Sequence, residues 1–378
     1  MLKLLFTILA CSITALDISA QSTGDSSKLS LMFIGDIMGH EPQIRAAENI
    51  YDGTYDYDDV FKFINPLISQ TDITIANLEV TLAGRPYTGY PRFSSPAELA
   101  VSCKKAGIDC LVTANNHSAD RGNKGIKSTI FKLDSLQILH TGTFNSPSER
   151  DSLYPLIIEK NNISVALLNY TYGTNGIQVP PPEIINILDK DQVDRDIEKT
   201  KSLNPDMIIL FLHWGTEYDT IPSAGQTALA EHFLSMGADM IIGSHPHVIQ
   251  KMVMMNSEED SLKKPVVYSL GNFVSNQRRQ KTDGGAIVRI DIERSGDSVK
   301  VEQAGYYLTW VYTPSENGRR KYYILPCSDF ENKPEFFSSH TDYENLMKFV
   351  SDSRRLLNSQ NINIKENIFQ TPQADSLP

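Results

Sequence analysis

Between residues 29 and 247 the sequence alternates short apolar runs with amphipathic stretches, and most of those runs end in a carboxylate, an amide or an imidazole. Apolar runs at 29–35, 73–78, 109–114, 138–142, 206–212 and 239–242 read as strands, with helical spacing at 57–69, 96–106, 125–136, 191–203 and 226–236. Gly107 and Gly237 stand where helix C-caps are expected. Such alternation predicts a mostly parallel sheet with helices outside it. The runs at 156–160 and 164–170 flank Asn161-Asn162, a hairpin signal. After His247 the pattern changes. Runs at 248–255, 265–270, 286–293 and 298–307 have no helix between them, and Ser295-Gly296-Asp297 signals a hairpin turn. These, with a short run at 322–325, predict a second, antiparallel layer. A helix is expected over 340–357, and 358–378 is polar and expected to be disordered. No stretch between 29 and 325 has a linker's composition, so one large domain is expected over 29–330, followed by a C-terminal helix and tail over 331–378.

The first residues carry a different signal. Lys3 precedes a mostly apolar run at 4–15, and a small residue, Ala20, precedes Gln21, which predicts an export signal over 1–20. The run is too short to span a bilayer. A second reading takes Ile8-Leu9-Ala10-Cys11 as a lipobox that would place a lipid on Cys11. Either reading predicts a protein of the periplasm or cell envelope, with 21–28 as a polar leader. Without Cys11 three cysteines remain, and no CxxC or CxxH spacing exists, which argues against a thiolate zinc site. Cys103 and Cys110 are expected as buried thiols. Lys and Arg number 35 against 46 Asp and Glu, a net charge of −11. That balance argues against nonspecific nucleic-acid binding, which runs on basic residues. An anionic substrate would need local help from a metal or a few cations.

Ligands of open α/β sheets bind at the carboxyl ends of strands. His245 and His247 lie there, in Gly243-Ser244-His245-Pro246-His247. Two imidazoles two positions apart on a turn can point into one cavity, and neutral imidazole is the commonest metal ligand. They could equally be polar loop histidines. Asp36 ends the first strand as a metal-holding carboxylate or a helix N-cap. Glu79 ends the second on the same face as Asn77, as a ligand or a solvated loop carboxylate. Asn116 offers a hard neutral oxygen. His117 beside it could be a general acid, with Asp120 placed to orient a neighbour; the alternative is an Asx turn. His213 ends an apolar strand as a ligand or a core imidazole. Glu217 and Tyr218 follow it and, with Asn272, are candidates to bind substrate. This donor set suits one or two divalent ions such as Mn, Zn or Fe better than Ca alone. No GxSxG elbow, Walker loop or GxGxxG motif is present.

Gly35-Asp36-Ile37-Met38, Asn77-Leu78-Glu79, the run from Asn115 to Gly122, His213-Trp214-Gly215-Thr216-Glu217-Tyr218, Gly243-Ser244-His245-Pro246-His247 and Tyr268-Ser269-Leu270-Gly271-Asn272-Phe273 together resemble the CapA family of poly-γ-glutamate capsule-synthesis proteins. The resemblance covers about 29–292 in order. It implies a branch of the calcineurin-like metallophosphoesterases and their four-layer α/β/β/α sandwich, here with an antiparallel C-terminal part and a terminal helix. It also implies a dinuclear site: Asp36 as first carboxylate, Glu79 bridging, Asn116, His213, His245 and His247 as further ligands, and His117 as the outer acid. The sequence departs from that pattern at Met38, where a histidine ligand is usual, at Glu79, where Asp is usual, and at Ser118, where an acid is usual. His40, two positions after Met38, would either replace the missing ligand or cap the helix that follows. The implied substrates are an anionic polymer or a small anion, and the implied partners are membrane proteins of capsule synthesis.

Overall fold

The computed structural model of the chain describes residues 27–256 and 263–371. The export signal and Cys11 lie outside them. Two sheets face each other. The first runs Tyr323–Pro326, Ser298–Tyr312, Gly284–Ser295, Ser27–Ile37, Ile73–Leu78, Cys110–Val112, Leu139–Thr141. The second runs Met252–Asn256, Lys263–Val267, Met240–Ser244, Met207–His213, Ile163–Thr171, Leu156–Lys160. Pairing is parallel through the βα part of each sheet and antiparallel at both margins of the second sheet and on one side of the first.

Alternation along the strands explains the layers. Leu29, Leu31 and Phe33 point between the sheets, against Val165, Leu167, Ile209, Phe211 and Ile242. Met32 and Ile34 point outward onto Val60, Leu67 and Leu99 of the helices covering the first sheet. On the second sheet Ala166, Leu168, Ile208 and Leu210 meet Val193, Ile197 and Phe233 from the helices Lys190–Ser202 and Ala224–Met236. Strands buried on both faces read as continuous apolar runs. The result is the four-layer α/β/β/α order. Each fully buried Leu or Phe contributes about 1.5–3 kcal/mol, so the layer between the sheets is the main cohesive element.

Three expectations change. The helix expected over 57–69 is two single turns, Asp58–Phe61 and Asn65–Ile68. Pro66 occupies the first turn of the second and has no N–H to bond the Lys62 carbonyl, so the hydrogen-bond ladder breaks between the two turns. The antiparallel strands after His247 form no layer of their own. Gly284–Ser295 and Ser298–Tyr312, joined at Gly296 (φ 62°), extend the first sheet, whereas Met252–Asn256 and Lys263–Val267 extend the second. Residues 361–371, after the last helix, are part of the fold, and 372–378 lie outside the described residues. Lys365–Glu366 pairs with Ser298–Tyr312, Ile362 bonds the backbone of Met252 and Met254, and Phe369 is buried. Cys103, Cys110 and Cys327 are buried free thiols, as expected for the first two. Among the described residues no helix is long and apolar enough to cross a membrane.

Two glycines set how closely the strand ends approach. A Cβ on Gly35 would overlap the carbonyl oxygen of Gly271, and one on Gly243 would overlap that of Tyr268. Only glycine lets the backbones carrying Asp36 and His245 come this near to the neighbouring strand.

Candidate metal centre

Every sequence-derived ligand candidate sits at the carboxyl end of a central strand, and the two sheets bring these ends together. Asp36, Glu79, Asn116, His213, His245 and His247 are all buried. Ligand atoms of Glu79, His213 and His245 lie within 4.8 Å of one another, and so do those of Asp36, Glu79 and His247. Glu79 belongs to both groups. Its Oε1 is 3.6 Å from His213 Nε2 and 3.8 Å from His247 Nε2. Asn116 Oδ1 is 3.0 Å from His213 Nε2, so the amide oxygen faces the same point.

Surrounding groups aim these side chains. Asn77 Nδ2 donates to Asp36 Oδ1 at 2.8 Å and approaches Glu79 Oε2 (3.5 Å) and His213 Nδ1 (3.3 Å). Asn115 holds the other end of Asn77, Nδ2 to Oδ1, at 3.2 Å. Ser244 Oγ meets His213 Nδ1 at 2.9 Å, leaving Nε2 toward Glu79 and Asn116. His247 Nδ1 is 3.1 Å from both Asp36 Oδ2 and Asn272 Oδ1, so its Nε2 faces Glu79. Asn272 spends its NH₂ on Thr282 O and Gln277 Oε1, which makes it a holder of His247 in this structure. His245 and His247 have φ of 97° and 58°. Left-handed angles at non-glycine residues cost about 1–3 kcal/mol each and persist where the surroundings impose them.

Among the buried polar atoms without a hydrogen-bond partner are two ligand candidates, Glu79 Oε1 and His245 Nδ1. An orphaned carboxylate oxygen beside an orphaned imidazole nitrogen fits a cation between them. The electrostatics agree. Burial, with Asp36 close by, pushes the Glu79 carboxyl well above the usual carboxylate range. Burial and neighbouring imidazoles push His213 far down and His245 down to about 3, so both are neutral, the form that binds metal. The donor set fits one or two divalent ions, with Glu79 placed to bridge.

Beside this cluster His117 Nδ1 meets Asp120 Oδ2 at 2.8 Å, and the same oxygen accepts the Phe93 N–H at 2.6 Å. Phe93 also packs edge-on against the His117 ring at 4.6 Å. Asp120 therefore fixes Nδ1 and leaves Nε2 for other chemistry. At the mouth, the Tyr218 ring is 6.3 Å from His247 and is 38% exposed; Glu217 beside it is exposed. Tyr172 covers His245 at 4.5 Å between ring centroids.

Sequence reasoning did not single out Asn115 or Ser244 for a role, nor Phe93 or Tyr172 at all. Ser244 and Asn115 stand inside the quoted motifs, whereas nothing local marks Phe93, which arrives from a loop.

His40 takes the capping alternative. Its backbone N–H donates to Gln43 Oε1 at 2.9 Å, its Nδ1 meets Gln43 Oε1 and the Asn276 N–H at 3.1 and 3.3 Å, and it precedes the helix Glu41–Ala47. Burial lowers its pKa to about 4. His40→Ala is therefore expected to leave the metal content per chain unchanged and to cost about 0.5–1.5 kcal/mol of stability, because the ring's hydrogen bonding with Gln43 and Asn276 is lost while the backbone N–H to Gln43 Oε1 remains. Elemental analysis and thermal unfolding of the variant measure the two halves separately; loss of an ion would make His40 a ligand.

Fold and site thus define an α/β/β/α sandwich with a buried carboxylate–imidazole centre at the strand ends. Residues 30–277 match the model of the bacterial capsule synthesis protein family PGA_cap, and the chain belongs to that family. It is 31% identical over 291 residues to the capsule biosynthesis protein CapA of Bacillus anthracis, covering 73% of this chain and 66% of that one. It is 27% identical over 289 residues to the PGA biosynthesis protein CapA of Bacillus subtilis, covering 71% and 69%. The chain thus spans about two thirds of the length of these curated relatives. It is also similar to the solved calcineurin-like phosphoesterase YfkN from Bacillus subtilis, with a TM-score of 0.43, 14% identity and coverage of 87% and 98%.

Proposed function

We propose that this chain is an exported, metal-dependent hydrolase acting on an anionic cell-surface polymer or a fragment of one. The observation that carries the reading is Glu79, shared by two ligand groups, with the His117–Asp120 pair beside them. Divalent ions bound by these residues would polarise the scissile group and lower the pKa of water. Asp36, Glu79, Asn116, His213, His245 and His247 would hold them. His117, with Nδ1 held by Asp120, donates its Nε2 proton to the leaving group. Family membership supports capsule or poly-γ-glutamate metabolism as the setting, and the leader sequence supports export.

The second reading is a non-catalytic accessory that binds the polymer during export or anchoring, in contact with membrane partners of capsule synthesis. The observation favouring it is Met38, a buried thioether where a further ligand would otherwise stand. Metal analysis of the purified protein, followed by assays on phosphomonoesters, phosphodiesters and γ-glutamyl oligomers with Mn, Zn or Fe, separates the two. One or two ions per chain and turnover of at least one substrate class are expected. Polymer binding with metal present and no turnover would leave the accessory role.

A further inference from the structure

Acidic side chains outnumber basic ones 46 to 35 in this chain, so surface guanidiniums should readily find acidic neighbours. Beside the metal centre several do not. Among the described residues no carboxylate lies within ion-pair distance of Arg279, Arg319 or Arg320. Arg45 near them meets Glu41 at 3.7 Å, with side chains 68% and 49% exposed, and such a pair neutralises little.

These arginines follow one another away from the mouth of the centre. The Arg279 guanidinium lies 5.1 Å from the centroid of the Tyr218 ring, which is 6.3 Å from His247. The Thr282 N–H and hydroxyl both donate to the Arg279 carbonyl, and Thr282 O accepts from Asn272, the holder of His247. The Arg279 turn is thereby tied to the metal centre. Three residues earlier, a span of at most about 11 Å, stands Asn276. Its Oδ1 accepts from Arg320 Nη1 at 3.3 Å and from the Tyr322 hydroxyl at 2.6 Å. The charges of Arg320, Arg278 and Arg45 all reach that hydroxyl. Arg319 donates to the carbonyls of Arg45 and Glu48, and Arg45, Arg319 and Arg320 line one open depression of 250 Å³. Arg45, Arg279 and Arg320 are exposed, so their charged ends are open to a ligand. Like charges this near repel one another, and anions laid across them remove the repulsion. Guanidinium forks match carboxylates in geometry as well as charge. A single small anion satisfies one or two of them, whereas a line of four calls for a chain of anions.

We propose that this line is a track for a polycarboxylate chain whose reacting group lies at the metal centre. The inference rests on the reading that the substrate is an anionic cell-surface polymer, and adds where the polymer lies. It runs from Tyr218 and Arg279 at the mouth, over Asn276, to the hairpin that carries Arg319 and Arg320. The substrate is then the chain itself and not a fragment.

Fluorescence anisotropy of labelled poly-γ-glutamate with the full-length, metal-loaded protein tests this. Saturable, salt-sensitive binding is expected, weakened at least about tenfold by Arg279→Gln and by the pair Arg319→Gln with Arg320→Gln, since charge-assisted hydrogen bonds are the strong ones. A γ-glutamyl dimer, measured by competition, should lose affinity in Arg279→Gln and keep it in the double variant. Lys190→Gln with Arg195→Gln removes the same charge from an exposed helix on the second sheet and should leave polymer affinity nearly unchanged. Equal weakening by that control pair, or polymer affinity unmoved by both track variants, would overturn the proposal. Tighter binding of a polyglycerol phosphate than of poly-γ-glutamate would overturn the polycarboxylate assignment. Binding is read apart from turnover, so the two readings fail separately. A protein that cleaves nothing yet loses polymer affinity in the track variants refutes the hydrolase alone. One that cleaves the polymer while the track variants bind it normally refutes the track alone.

Discussion

Glu79→Ala is expected to strip the protein of all its metal. Its Oε1 faces both His213 and His247, and Glu79 alone belongs to both ligand groups. Removing it takes a donor from each half and leaves Asp36 with one imidazole and His213 with another. Neutral ligands would then face the ions almost alone, and charge neutralisation would be lost with geometry. The loss in metal affinity should exceed the 10–100-fold typical of removing an outer partner such as Asn77. Hydrolysis should fall to background with it. Glu79→Gln separates charge from shape: the amide fits the same space, so metal loss in both variants shows that the carboxylate charge is needed. Elemental analysis after dialysis reads the result directly. Retention of one ion in Glu79→Ala would show that the two groups are independent sites with no shared ligand.

His117→Ala should do the opposite, keeping the metal and losing the turnover. The ring is held by Asp120 and Phe93 and belongs to neither ligand group. A positioned general acid contributes about 10²–10⁴-fold, so kcat should drop within that range. The drop should depend on the leaving group. A nitrophenolate needs little protonation, so the variant should retain most of its activity on nitrophenyl esters and almost none on alkyl esters. Asp120→Asn should show a smaller effect of the same kind, because the amide can still orient the ring but lacks the carboxylate's charge. Uniform loss across leaving groups, or loss of metal, would remove the acid role from His117.

The strand ends were legible because an apolar run that stops at Asp, Glu or His leaves few other places for that side chain to go. Asp36, Glu79, His213 and the His245–His247 pair were candidates on that ground, each with a second reading as a helix cap, a loop carboxylate, a core imidazole or polar loop histidines. Their convergence could not be read, since it depends on two sheets meeting face to face, and local periodicity says nothing about which strands join which sheet. The same limit explains the antiparallel strands after His247, whose runs were visible but whose division between the sheets was not. Phe93 is a further case: its contribution is a backbone N–H and a ring edge delivered from a loop, and neither is encoded in a pattern. His40 shows the reverse. Family spacing made it a candidate ligand, whereas Gln43 three residues on was the local sign of the capping box it forms.

The segment after the last helix joins the two sheets at their margins. Ile362 bonds the strand Met252–Asn256 at the edge of the second sheet, and Lys365–Glu366 pairs with Ser298–Tyr312 in the first. This matters for the order of events during synthesis. Chains emerge N-terminus first at about 5–20 residues per second, so the edge formed by Met252–Asn256 stands open for several seconds before its last partner leaves the ribosome. An open edge invites pairing with another chain. A nascent molecule stalled near residue 360 would hold nearly all of its core and its whole metal centre, yet remain able to capture a neighbour. Damage to these few residues would therefore register as poor yield and aggregation, with the chemistry of the molecules that do fold left intact.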